Sequence, residues 1–210
     1  MMDLREVSRQ LRRPEGADGL DIGLQMNKSN RLIYEMVMDF LALKPGDAVL
    51  EIGMGNGYFV PQLFQRESSI QYTGVDMSDV MVAAARDTNA GNKNANFYCT
   101  EKITGSFDKV FAVNVLYFWD QPAVNLKQIH EVLKPEGELV LGIRSKATLQ
   151  LLPFVDDRFT LYDPESVKKL LQENGFRITD FLTAVEPEKL AADGSKLVQL
   201  ENICVRGVKI

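Results

Sequence analysis

Val49–Phe59 reads VLEIGMGNGYF, three glycines set directly behind an apolar strand and ahead of a helix. Gly53, Gly55 and Gly57 make a strand-to-helix turn with no side chains in the way, so a ligand can lie against bare backbone N–H groups around Met54. A dinucleotide fingerprint would run G-x-G-x-x-G, but here its third glycine position is Tyr58. Glu51, two residues ahead of Gly53, places a carboxylate where it disfavours a pyrophosphate and favours an ammonium or sulfonium ligand. A buried structural turn is the bland alternative.

Outward from this stretch the hydrophobic period switches repeatedly between short buried strands and amphipathic helices, the pattern of a parallel α/β sheet. Strands are predicted at 48–53, 70–76, 95–100, 107–115 and 137–145, with helices at about 58–66, 78–90 and 121–133. A further helix opens at Asp163 and Pro164 and closes at Gly175. Segments 176–184 and 198–210 follow with no helix-length connection between them, so they are expected to pair as an antiparallel hairpin. Toward the N-terminus, Leu4, Val7 and Leu11 mark a short amphipathic helix over 3–13. PEGADGLDIG (14–23) reads as a loop by its Gly, Pro and Asp content, and a helix is expected over 26–41. Two units result: an N-terminal helical cap or lid at 1–43 and a ligand-binding domain at 44–210.

The second strand ends in Asp76, followed by Met77. A carboxylate at a strand's C-terminal edge can accept from both hydroxyls of a ribose, although it could equally cap the next helix. With these motifs in this order the chain resembles the class I S-adenosylmethionine-dependent methyltransferases, whose first motif is an acidic residue followed by G-x-G-x-G. The resemblance covers roughly 48–145. It implies a three-layer Rossmann-like sandwich whose mostly parallel seven-stranded sheet ends in the antiparallel hairpin, with S-adenosylmethionine as cofactor. It further implies that Asp76 holds the ribose and Met77 covers one face of the adenine. After the third strand the family usually has Gly-Asp; Thr100 and Glu101 stand there instead. SFDKVFAVNVLYFW (106–119) is similar to the fourth motif, with Asp108 at the strand's start and Asn114 and Val115 at its end facing the methionine moiety through backbone carbonyls. LKPEGELVLGI matches the L-K-P-G-G turn into strand five, with Glu136 in place of a glycine.

Methyl transfer from a sulfonium is a direct displacement, needing chiefly that the acceptor atom be held in line; no catalytic residue is assigned from sequence. Tyr117, Phe118 and Trp119 stand at the C-terminal edge of the sheet and are candidates for an aromatic acceptor wall, as Asn30 in MNKSN is for a polar contact. NVLY (114–117) is similar to the Asn-Pro-Pro-Tyr motif of amino-group methyltransferases but lacks both prolines. His130, on the helix before KPEG, is expected at an exposed position without a catalytic role.

The totals restrict partners. A net charge of -5 disfavours a phosphate backbone as partner, although Arg5, Arg9, Arg12 and Arg13 cluster near the start. The two cysteines and one histidine have no metal-ligand spacing, no 18-residue apolar run exists, and the first residues lack a secretory apolar core, so a cytoplasmic enzyme without metal is expected. The expected partner is a small-molecule acceptor; oligomeric state is not readable. Alternatives are a non-catalytic module that binds the same cofactor and an NAD-dependent oxidoreductase.

Overall fold

The computed structural model describes residues 2–190 and 197–210. Three helices come first, α1 (Leu4–Arg12), α2 (Gly16–Ser29) and α3 (Arg31–Leu41). The alternating unit follows as β1 (Ala48–Ile52), α4 (Val60–Arg66), β2 (Gln71–Asp76), α5 (Asp79–Thr88), β3 (Ala95–Cys99), β4 (Phe107–Val113), α6 (Pro122–Val132) and β5 (Leu133–Arg144). The chain then runs through α7 (Lys146–Leu149), α8 (Pro164–Glu173) and β6 (Phe176–Val185). A two-residue ladder of β7 (Lys189–Leu190) with β8 (Leu197–Val198) leads to β9 (Glu201–Lys209).

The main sheet has seven strands in the order β3-β2-β1-β4-β5-β9-β6. The first five run parallel, and β9 inserts antiparallel between β5 and β6. The expected hairpin is therefore present from Phe176↔Lys209 to Val185↔Glu201, with a bulge between Ile178 and Asp180. Part of its connection, 191–196, lies outside the described residues. β4 is buried along nearly its whole length because helices cover both sheet faces. On one face Ile33, Val37 and Leu41 of α3 join Leu63 of α4 and Val82 and Ala85 of α5. On the other, Leu126 and Ile129 of α6 join Val167 and Leu171 of α8. Val49 belongs to the first core and Leu50 to the second, as strand alternation requires.

Four expectations need correction. PEGADGLDIG is not a loop: α2 begins at Gly16. Its glycines are poor helix formers, yet a Cβ on Gly19 would come within 2.8 Å of the Pro14 carbonyl carbon, and one on Gly23 within 3.0 Å of Met81 Cε. Close packing against the preceding turn and α5 thus outweighs propensity. The single helix over 26–41 is two, broken at Asn30 (φ -98°, ψ 3°). β4 stops at Val113 because Asn114 turns left-handed (φ 57°), and β5 starts early, since Leu133 already pairs with Phe107.

Candidate active site

A cavity of about 410 Å³ opens at the C-terminal edge of the parallel strands, where α/β folds bind ligands. Its floor is the glycine turn. Gly53 and Met54 both donate backbone N–H groups to the Val75 carbonyl, at 2.7 and 3.3 Å, which ties the turn to β2. Gly55 adopts φ 57°, and a Cβ there would meet nothing within 4 Å, so its bare face is turned to open space. Gly57 is different. It is absent from the cavity wall, and a Cβ would come within 2.9 Å of Ala85 Cβ and 2.8 Å of Asn89 Nδ2, so this glycine lets α5 approach the turn.

Asp76 closes β2 at the same wall. Its Oδ2 accepts the Gly55 N–H at 2.9 Å and its Oδ1 the Ser78 N–H at 2.8 Å. Burial pushes its pKa above the ordinary carboxylate value, against the lowering effect of those backbone donors. Met77, Thr100 and Glu101 line the wall beside it, and Thr100 donates its backbone N–H to the Asp76 carbonyl at 2.9 Å.

Glu51 sits elsewhere than its spacing suggested. The carboxylate is 2% exposed, off the cavity wall, and accepts the Tyr34 hydroxyl at 2.8 Å and the Tyr72 hydroxyl at 2.5 Å. Burial lifts its pKa to about 7, opposed by the two tyrosine hydrogen bonds and assisted by the charge of Asp76. Tyr34 reaches from this buried cluster to the cavity wall and stacks on Phe59 with ring centroids 3.8 Å apart.

On the far side, Asn114 and Val115 line the wall at the end of β4. The Asn114 amide donates to Asn30 Oδ1 at 3.0 Å and accepts the Arg144 backbone N–H at 3.2 Å, which fixes the left-handed residue between the α2–α3 break and β5. Arg144 also donates to the Ser29 carbonyl at 2.6 Å and pairs with Glu186, so the end of α2 is clamped to the sheet. Among the aromatic candidates Phe118 and Trp119 reach the cavity, whereas Tyr117 is buried behind them with its ring centroid 5.3 Å from that of Phe159. Asn30 is on the wall.

Several wall residues were not among the site candidates read from the sequence. Leu11, Arg12 and Pro14 arrive from the N-terminal helices, and Asp120 and Gln121 from the segment after β4. Arg12 donates to Asp120 at 2.6 Å, Ser8 to Asp156 at 2.7 Å, and Ser78 to the Pro14 carbonyl at 2.5 Å, so α1 and the α1–α2 turn lie across the sheet edge. Asp108 is remote from the cavity wall and accepts the Ala48 N–H at 2.8 Å and the Lys134 ammonium at 2.6 Å. His130 is also off this wall, half-buried, with Nε2 3.0 Å from the Ile210 oxygen. Among the described residues no helix is long and apolar enough to cross a membrane, and no cluster of three His, Cys, Asp or Glu side chains could hold a metal ion.

Residues 50–141 match the methyltransferase domain family. The uncharacterized methyltransferase YdaC of Bacillus subtilis is 30% identical over 128 residues, covering 59% of this chain and 71% of that protein. The ubiquinone biosynthesis O-methyltransferase of Pseudomonas aeruginosa is 27% identical over 154 residues, covering 70% of this chain but 62% of that enzyme. A SAM-dependent methyltransferase from Aquifex aeolicus has the same fold, with a TM-score of 0.65 at 19% identity over 90% of this chain and 98% of that one. The motif order, the strand order and these likenesses agree, and the chain belongs to the methyltransferase family with the class I, Rossmann-like fold.

Proposed function

We propose that the chain uses S-adenosylmethionine to methylate a small-molecule acceptor by direct displacement. The observation that carries this reading is the bare, outward-facing Gly55 beside a buried Asp76 on one cavity of about 410 Å³. A ribose set on Asp76 would use the lone pairs that the Gly55 and Ser78 N–H groups leave free, and a side chain at position 55 would fill the same space. Met77, Thr100 and Glu101 would then border the base, and Asn114 and Val115 the amino-acid portion. When bound, the cofactor supplies an electrophilic methyl group on a sulfonium.

The protein's part is to hold and to exclude. Displacement needs the acceptor atom at about 3 to 3.5 Å and in line, which rigid walls provide better than loops. Asn114, locked by Asn30 and Arg144, and the glycine turn, tied to β2, are such walls. Residues 1–43 act as a cap: Leu11, Arg12 and Pro14 cover the edge and limit water around the reacting atoms. Calorimetric titration with S-adenosylhomocysteine, S-adenosylmethionine, NAD and NADP tests the reading. The homocysteine product is expected to bind and NAD not to. Binding of NAD with none of the product would overturn it in favour of an oxidoreductase, and a labelled-methyl screen of metabolite pools that yields no acceptor would favour a non-catalytic binding module.

A further inference from the structure

The cavity beyond the glycine turn carries chemistry that specifies its acceptor, an inference that rests on the methyltransferase reading above. β4 lies on the opposite side of β1 from β2, so the wall formed after β4 is separate from Asp76. Phe118, Trp119 and Val124 give that wall an apolar, aromatic surface, and Asn27, Asn30 and Gln121 add neutral amides. Around the cavity the carboxylates are Asp76, Glu101 and Asp120, and the single cationic side chain among the described wall residues is Arg12. That guanidinium is engaged, since its Nη2 donates to Asp120 Oδ2 at 2.6 Å.

We propose that the acceptor is a neutral or cationic compound with a planar apolar body, and that Asp120 is the residue that disfavours anions by neutralising Arg12 and placing a carboxylate beside it. A planar body lies well against Trp119 and Phe118, and a cation gains further from the indole face. The amides can meet hydroxyl or amino substituents as donors or acceptors. A carboxylate or phosphate on the acceptor would have to share Arg12 with Asp120 and would lie beside that carboxylate, which repels it. Repulsion of this kind gives discrimination without requiring tight contacts to the favoured ligand.

Trp119 is the chain's only tryptophan, so its emission reports this wall directly. Protein first shown by calorimetry to bind S-adenosylhomocysteine, and then saturated with it, is titrated with benzyl alcohol, benzylamine, benzoate and phenyl phosphate. The alcohol and the amine are expected to bind at least ~10-fold more tightly than the two anions. Asp120→Asn, which frees Arg12, should narrow or reverse that ratio, whereas Arg12→Gln should keep the anions weak and tighten benzylamine. Both variants break the same ion pair, so a merely structural role would move them alike. Anions that match the neutral ring in the native protein, neutral and cationic rings that give no saturable change, or variants that shift together would each overturn the proposal. Failure of S-adenosylhomocysteine to bind would remove the methyltransferase reading and this inference with it, whereas its binding with the wrong order of rings removes this inference alone.

Discussion

Glu51 offers the sharpest test of the geometry beneath the glycine turn. Its carboxylate is buried between the Tyr34 and Tyr72 hydroxyls, and its pKa is raised from 4.5 to about 7. A group that holds its proton more tightly in the folded state stabilises the fold below its unfolded pKa, and that contribution is lost as pH rises through the folded value. The window is therefore about pH 4.5 to 7, with stability falling as pH rises. At 1.36 kcal/mol for each pH unit, the rise corresponds to about 3 kcal/mol. Glu51→Gln keeps the shape and one acceptor oxygen but cannot ionise. Urea unfolding of both proteins at intervals from pH 4.5 to 8 should show the native protein losing about 3 kcal/mol relative to the variant. Asp76 is also raised, and Asp108, Asp156 and Asp163 are lowered, but these groups are common to both proteins and largely cancel in the difference. Stability curves that run parallel across this range would refute the account of Glu51 as a buried carboxyl held by two tyrosines.

Asp76→Ala should weaken S-adenosylhomocysteine by about 1.5 to 3 kcal/mol in calorimetry, the range for hydrogen bonds to a charged group; unchanged affinity would mean that the carboxylate serves only the Gly55 and Ser78 N–H groups. The glycines of the turn should separate by role. Gly55→Ala puts a methyl group into open cavity and should abolish most ligand binding at a strain cost of about 1 to 2 kcal/mol, whereas Gly57→Ala drives a methyl group into Ala85 and should lower the unfolding midpoint markedly. Equal losses of stability in urea melts of the two would contradict that division. His130→Ala should leave S-adenosylhomocysteine affinity unchanged and cost about 1 kcal/mol of stability, because it gives up the Ile210 contact and an edge contact with the Phe176 ring, both far from the cavity wall; a large loss of affinity with intact folding would reveal a connection between the two faces.

The order of strands and helices from β1 to α6 was legible because the strands are short segments rich in apolar and aromatic residues bounded by turn residues, and the helices carry apolar stripes, signals that survive without knowledge of neighbours. α2 was not, because its reason to be helical is tertiary: Gly19 and Gly23 are there to let Pro14 and Met81 come close, and a glycine read alone argues for a loop. The near wall of the site followed from local motifs, with Gly53, Gly55, Asp76 and Met77 all on the cavity. The far wall followed in part, through Asn30, Asn114, Val115 and Trp119, but the pairs that seat the N-terminal cap against it did not, since Ser8–Asp156 joins residues 148 apart in sequence and Arg12–Asp120 joins residues 108 apart. Glu51 is the intermediate case. Its residue type was informative and its side of the sheet was recoverable from strand alternation, because it shares a face with Val49, which packs under α3. What alternation could not supply was Tyr34 and Tyr72 converging there. A carboxyl that the glycine spacing offers to a ligand is instead consumed in fixing β1 to β2 and α3, and Tyr34, standing between Glu51 and the cavity, is the one side chain of that cluster left to touch whatever binds.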